Sequence, residues 1–310
     1  MDVLFVSRGK RKASPSPIVI AQAESLCNLG IDVQYFSIEG KGILGYLKAV
    51  FKLRELLKTK NFDVIHAHYS LSGFVAFVAG AKPLVVSLMG SEVMSSSLQL
   101  KVTRFLSNRR WTATIVKSQQ MKICLSVQNV EVLPNGVDLR VFSPIDKLSA
   151  KLYLGLKTKK RYVLFAANPE RKEKNYPLIR DAFKKIKCDN IELIYLKNIA
   201  HNLIPYYMNA SDVIVLTSLW EGSPNVIKEA MSCNRPIVST DVGDIKWLFG
   251  HEEGQFIASF DENDYAEKLQ MALDFSKRFK QTTGRQRIVD LGLSSEIVAQ
   301  RIFEMYKRVV

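Results

Sequence analysis

Short apolar runs alternating with helix-length segments constrain this chain of 310 residues more than any other feature. Runs at 3–7, 32–36, 63–68 and 83–87 read as buried strands, separated by helices expected over 18–28, 43–59 and 73–79, with another at 98–109. Two shorter strands follow at 112–116 and 131–133. The rhythm breaks at Pro134-Asn135-Gly136-Val137-Asp138 and Phe142-Ser143-Pro144, and a lysine-rich connector leads up to Lys160. It then resumes, with strands expected at 162–166, 191–195, 213–217, 237–240 and 255–257, and helices near 176–186, 202–208, 225–232, 263–277 and 296–307. Alternation of this kind predicts an α/β fold of doubly wound parallel sheets, whose ligands sit beyond the carboxyl ends of the strands. The length suits two domains. Neither half contains a GxGxxG turn, so a dinucleotide cofactor is not expected.

Hydrophobic residues make up 47% of the chain and charged residues 24%, enough apolar material for a core in each half. Cys27, Cys124, Cys188 and Cys233 are scattered without metal-ligand spacing and read as buried thiols of a reducing compartment. The first residues run straight into a strand, so no signal peptide is expected, and no apolar run approaches a membrane span. These features predict a cytoplasmic protein. The charge is less ordinary: 44 Lys plus Arg against 30 Asp plus Glu give a formal net charge of +14. An excess of that size implies an anionic partner. Its cations gather in the first half, at Lys10-Arg11-Lys12, at Lys101, Arg104, Arg109 and Arg110, and along 43–60. In that last stretch Lys48, Lys52, Arg54 and Lys58 accompany Tyr46, Leu47 and Phe51. A basic, aromatic helix suits the face of an anionic membrane, which predicts peripheral attachment at the inner face of the plasma membrane. No nucleic-acid-binding module is recognisable, so nucleic acid is not expected as a partner.

The densest chemistry lies in 218–243, SLWEGSPNVIKEAMSCNRPIVSTDVG. Val213-Ile214-Val215-Leu216-Thr217 ahead of it reads as a buried strand. Ser223 is then expected as the N-cap of a helix with Pro224 at its first position. Such a helix directs bare backbone N–H groups and the positive end of its dipole into the loop after the strand, a place suited to a diphosphate. Glu221 lies in that loop and Glu229 two turns into the helix. One carboxylate can reach beyond the phosphates while the other reaches a nucleoside hydroxyl.

This segment resembles the Glu-seven-residues-Glu motif of the retaining glycosyltransferases of family 4, the glycosyl transferases group 1. The resemblance implies the GT-B fold, two Rossmann-like domains facing a cleft. By it, 1–143 form an acceptor-binding domain onto which a terminal helix at 294–310 packs back, and 144–293 bind the nucleotide-sugar donor. Further segments are similar: DVIHAHYSLSG at 63–73, VLPNGVDLRVF at 132–142 and FAANPERKEKNYPLIRDA at 165–182. In the last of these the family's basic pair, which grips the donor diphosphate, falls on Arg171 and Lys174. Arg offers a bidentate fork there and Lys a point charge. The family more usually has Gly-Arg earlier in this loop, so either Arg171 or Lys172 can be the inward-facing residue. Asn168, in the same loop, joins Glu229, Gly222, Ser223, Pro224 and Asn225 as an expected substrate contact. In Leu88-Met89-Gly90-Ser91-Glu92, Met89 stands where many members have histidine. His68 is then a candidate to supply the imidazole, with Gly90 and Ser91 as backbone contacts.

The reaction implied is transfer of a sugar from a nucleoside diphosphate to a hydroxyl with retained anomeric configuration, carried by Glu221, Arg171, Lys174 and His68. The acceptor implied is a lipid-linked glycan of bacterial surface polysaccharide synthesis. No Asp-x-Asp metal motif occurs, so neither a metal nor a cofactor is expected. A sugar-nucleotide epimerase of the same fold and a non-catalytic nucleotide-sugar-binding scaffold are the alternatives.

Overall fold

The computed structural model describes residues 1–9, 15–40, 42–94 and 98–310, the side chains of Ser91 and Met94 excepted. The basic cluster at Lys10-Arg11-Lys12 lies outside the described residues. The chain divides into two compact units, Met1–Gly136 with Ser295–Val310, and Val137–Ser294.

The first unit begins with β1 (Asp2–Arg8), α1 (Pro17–Cys27), β2 (Asp32–Ile38), α2 (Gly42–Thr59), β3 (Val64–His68) and α3 (Ser70–Ala79). It continues through β4 (Leu84–Ser87), α4 (Ser91–Met94), α5 (Leu98–Arg109), β5 (Ala113–Val116), α6 (Gln119–Leu125) and β6 (Val130–Val132). The strands form one parallel sheet in the order β2-β1-β3-β4-β5-β6. Because helices cover both faces, its inner strands are buried on both sides rather than alternating, and every residue of β3, His66 and His68 included, is buried. Leu4, Val6, Ile65 and Val86 pack on one face against Leu53, Val75, Leu106 and Met121. Val3, Phe5, Val64 and Val85 pack on the other against α1 and the last helix of the chain, α14 (Ser295–Val309), through Leu26, Ile302 and Tyr306.

The second unit opens with α7 (Lys147–Tyr153), β7 (Arg161–Phe165), α8 (Tyr176–Phe183), β8 (Ile191–Tyr195), α9 (Ile204–Ala210) and β9 (Val213–Leu216). After these come α10 (Asn225–Ser232), β10 (Ile237–Thr240), α11 (Ile245–Phe249), β11 (Gln255–Ala258), α12 (Glu262–Phe279) and α13 (Gly284–Asp290). Its parallel sheet runs β11-β10-β9-β7-β8. The chain starts at β7, moves outward to β8 and returns to the opposite side at β9. Strand order therefore reverses between β7 and β9, and the crevice beyond their carboxyl ends is where a doubly wound sheet places its ligand.

Some local expectations change. The lysine-rich connector contains a helix, α7, because the Asp146 carboxylate caps it by accepting from the Ser149 N–H at 2.8 Å. The short helices α4, α6, α11 and α13 have too few turns to show a periodic apolar stripe. The segment after Gly136 is tied down by Arg285, whose guanidinium donates to the carbonyls of Phe142 (2.8 Å) and Leu139 (2.9 Å). Of the cysteines only Cys233 is buried. Cys27 is exposed, because it falls on the solvent side of the last turn of α1.

Candidate active site

Two loops of the second unit, after β7 and after β9, meet beyond the carboxyl edge of the sheet. Their backbones are fastened to each other: the Thr217 hydroxyl donates to the carbonyls of Lys174 (2.7 Å) and Asn175 (3.0 Å), and the Leu219 N–H donates to Glu173 O at 2.9 Å. A third loop, after β10, closes on the second. Gly243 has φ +62°, and a Cβ there would stand 2.7 Å from the Gly222 carbonyl oxygen. Only glycine permits that backbone and that approach.

Within this frame Lys174 forms an ion pair with Glu221, and the Ser218 hydroxyl donates to the same carboxylate oxygen at 2.7 Å. Both partners are largely withdrawn from solvent, with 12% and 15% of their side chains exposed. Arg171 goes elsewhere: its guanidinium binds Glu173 at 2.6 Å and its side chain is 56% exposed. Lys172 is exposed as well. The structure thus brings Lys174 and Glu221 together and leaves Arg171 paired within its own turn. Asn168 is half-buried, and its side-chain oxygen accepts from the Glu170 N–H at 3.0 Å.

The helix after Glu221 starts one residue later than its sequence suggests. Pro224, with φ −71° and ψ 114°, is the N-cap, and Asn225 is the first helical residue. Ser223 is not the cap, because its hydroxyl is taken by a buried cation: Lys228 Nζ donates to Ser223 Oγ at 3.2 Å. The side-chain oxygen of Asn225 is buried and accepts no hydrogen bond. The first N–H groups of any helix lack intrahelical acceptors, so the mouth of α10 offers donors to an anion.

The charges around this helix are held in unusual states. Glu229 is half-buried, and burial pushes its carboxyl up to about 7 despite the neighbouring Lys228. Lys228 is wholly buried, which pulls its ammonium down to about 8, while Asp244 and Glu229 pull it back toward the charged form. Burial likewise pushes Asp244 up to about 6, against the opposing Lys228. Asp244 follows Gly243 directly and lies within Coulomb range of Glu221, so these acids and Lys228 form one coupled group. Three carboxylates, two lysines and a helix mouth within one crevice can bind the polar groups of a phosphorylated ligand and hold a proton near neutral pH. Lys228, Asp244 and Ser218 are not among the residues the sequence singles out. The available signal was a lysine on an otherwise apolar stretch of helix, Val226-Ile227-Lys228.

The remaining candidates belong to the first unit. His68 is fully buried, stacked on His66 with ring centroids 4.5 Å apart, and neither ring nitrogen has a hydrogen-bond partner. Burial, then the charge of Lys117, pulls its imidazole down to about 3, so it is neutral. His66 is structural: it pairs with Tyr306 Oη at 2.6 Å and Ser87 Oγ at 2.8 Å. The Gly90 N–H donates to Glu92 at 3.1 Å, and the Met89 N–H to the same carboxylate at 2.9 Å. Ser91 opens α4, and its side chain lies outside the described residues.

Comparison with known proteins agrees with this architecture. Residues 3–141 match the family described as Glycosyltransferase Family 4, and residues 176–274 match Glycosyl transferases group 1. The UDP-Gal:alpha-D-GlcNAc-diphosphoundecaprenol alpha-1,3-galactosyltransferase of Escherichia coli is 28% identical over 264 residues, 70% of this chain and 68% of that protein. The N,N'-diacetylbacillosaminyl-diphospho-undecaprenol alpha-1,3-N-acetylgalactosaminyltransferase of Campylobacter jejuni is 24% identical and covers 94% of this chain and 91% of its own. Among solved structures, sucrose-phosphate synthase from Thermosynechococcus elongatus superposes with a TM-score of 0.85 at 19% identity, over 99% of this chain and 98% of that one. Anabaena HepE in complex with UDP-glucose gives 0.78 at 19% identity, over 99% and 100%. With family 4 matching the sheet of the first unit and group 1 matching the crevice of the second, the chain belongs to the group 1, family 4 glycosyltransferases of GT-B fold.

Proposed function

We propose that this glycosyltransferase transfers a sugar from a nucleoside-diphosphate donor, with retention of configuration, to a lipid-linked glycan. The observation that carries the reading is the Lys174–Glu221 pair at the point where the strand order of the second sheet reverses, beside the mouth of α10. An incoming diphosphate competes for Lys174. Once that ammonium turns to the phosphate oxygens, Glu221 is released to accept from hydroxyls of the donor sugar. Glu229 accepts from the ribose, and the N–H groups at the start of α10 face the diphosphate. No step here calls for a carboxylate nucleophile or a metal. The acceptor hydroxyl attacks from the face the diphosphate leaves, its proton passes to the leaving phosphate, and Lys174 with the helix mouth stabilises the departing charge. His68 is wholly buried within the first unit and has no surface with which to touch a ligand, so it takes no part in this reading.

The lipid-linked acceptor rests on two supports. The relatives described above are named for undecaprenol-linked substrates. In addition, α2 presents an apolar, cationic face: Ile43, Leu44, Leu47 and Phe51 are exposed at 79%, 73%, 51% and 65%, beside exposed Lys48 and Lys52. Tyr46 is instead half-buried, under the Arg8 guanidinium. Among the described residues no helix is long and apolar enough to cross a membrane, and this face provides the docking surface at an anionic bilayer. The test is transfer from radiolabelled UDP-hexoses to a diphosphoundecaprenol-linked sugar in vesicles, with the anomeric product read by NMR. UDP-sugar consumption independent of added acceptor would refute the transferase assignment of the substrate pair, and an inverted product would refute retention.

A further inference from the structure

At the opposite, amino-terminal edge of the second sheet lies an open basin of about 700 Å³ that the transfer reaction does not use. Its floor is set by the residues that open the strands: Arg161 starts β7, Asp212 directly precedes β9, and Arg235 lies two residues before β10. Helix α7 adds Lys147 and Lys151, and the end of α12 adds Lys277 and Lys280. Six cations therefore face three acids, Asp146, Asp189 and Asp212.

The acids do not neutralise this excess. Asp146 caps α7, accepting from the N–H and hydroxyl of Ser149 at 2.8 and 2.9 Å. Asp189 is exposed. Asp212 is shared: Lys147 stands 2.8 Å from it, Arg161 stands 3.7 Å away, and the Tyr162 N–H donates to it at 2.9 Å. Arg235, only 2% exposed, donates to neutral carbonyls alone, Cys233 O at 3.1 Å and Asn209 O at 3.5 Å. Lys151, 5% exposed, does the same with Lys160 O at 2.6 Å and Thr158 O at 3.3 Å. Lys277 and Lys280 are exposed at the rim, and Lys280 holds a left-handed φ of +63° at the end of its helix. Keeping two near-buried cations opposite a surplus of like charge is unfavourable unless an anion completes the group.

We propose that this basin binds the phosphate group of a small phosphorylated molecule, at a site separate from the donor crevice. The surplus of three positive charges matches a phosphate monoester, which carries about −1.5 to −2 near neutral pH. The volume is in the range of small-molecule sites, about 300–1,000 Å³, so the organic part of the ester fits beside its phosphate. Strands β9 and β10 run from this basin to the loops that hold Glu221 and Gly243. Occupancy braces the same two strands that carry the donor site.

The test uses the full chain with inorganic phosphate, by thermal shift and calorimetry, against sodium chloride of equal ionic strength. Phosphate is expected to raise the melting temperature beyond chloride. The surface variant Lys277→Gln with Lys280→Gln should weaken phosphate at least tenfold, and Lys174→Ala should leave it unchanged. No difference from chloride, or a full response in the double lysine variant, overturns the site. Loss of the response in Lys174→Ala also overturns it, because the phosphate would then be in the donor crevice. A second arm compares pelleting with phosphatidylglycerol and phosphatidylcholine vesicles. Equal pelleting of wild type and double variant supports a soluble ligand, and a selective loss with anionic vesicles in the variant overturns it in favour of a lipid headgroup.

Discussion

Glu229 offers the sharpest test of the donor site, because its protonation and its proposed role oppose each other. Burial keeps the carboxyl largely neutral in the free protein below about pH 7, whereas charge-assisted hydrogen bonds from two ribose hydroxyls need the carboxylate. Donor binding should therefore expel a proton and strengthen as pH rises through 7. With a pKa of about 7, about one-tenth of the population is ionised at pH 6 and about nine-tenths at pH 8. The dissociation constant should accordingly fall about tenfold between these values, or about 1.4 kcal/mol. The ligand should be a UDP-hexose, whose diphosphate diester does not titrate in this window, and the measurement calorimetry in two buffers of different ionisation enthalpy. Lys228 and Asp244 titrate nearby, through about 8 and about 6, so Glu229→Gln serves as the reference. That variant should lose the pH dependence and bind more weakly at pH 8 by about 1–3 kcal/mol, the scale of a charge-assisted hydrogen bond. A flat wild-type profile, or a Gln variant that keeps the slope, would refute the argument.

Lys174→Ala should erase the preference for UDP over UMP measured by competition binding, and lower turnover far more than melting temperature, whereas Arg171→Ala, which removes only an exposed pair with Glu173, should do much less. Gly243→Ala forces a methyl against the Gly222 carbonyl oxygen at a left-handed φ, and should cost more than about 1 kcal/mol in denaturant unfolding together with most of the activity. Replacing Ile43, Leu44 and Phe51 by Ser should abolish co-sedimentation with anionic vesicles at low salt while leaving UDP binding intact; wild-type protein that pellets equally with neutral vesicles would contradict the electrostatic part of that docking. Activity should survive chelation by EDTA, and a loss restored by added Mg²⁺ would show that Lys174 and α10 are not sufficient for the leaving diphosphate.

The fold was legible because buried parallel strands write themselves as short, mainly apolar runs, and both sheets arise from them. Strand ends shift by a residue or so, as at 63–68 against Val64–His68. What stayed hidden depends on long-range partners. Nothing near Ser223 indicates that its hydroxyl will serve Lys228 instead of the helix, since that choice follows from burial of the ammonium between α10 and Asp244. Arg171 and Lys174 look equivalent along the chain, yet a turn at Lys172–Lys174 gives one to Glu173 and the other to Glu221. Likewise His66 and His68 are neighbours on one strand, and only the arrival of Tyr306 from 240 positions away separates a structural imidazole from an unpaired one.

That last contact bears on how the chain acquires its structure during synthesis. One face of the first sheet, partly covered by α1, is completed by Val298, Ile302, Met305 and Tyr306, so the ribosome must deliver that helix before Phe5, Val64 and Val85 are fully covered. The second unit, contiguous from Val137 to Ser294, has its last strand by Ala258 and all its elements once residue 294 emerges. Birth order and folding order are therefore inverted: the half that appears first is finished last. Until then part of an apolar sheet face stands open on the nascent chain, a substrate for chaperones and a hazard for aggregation.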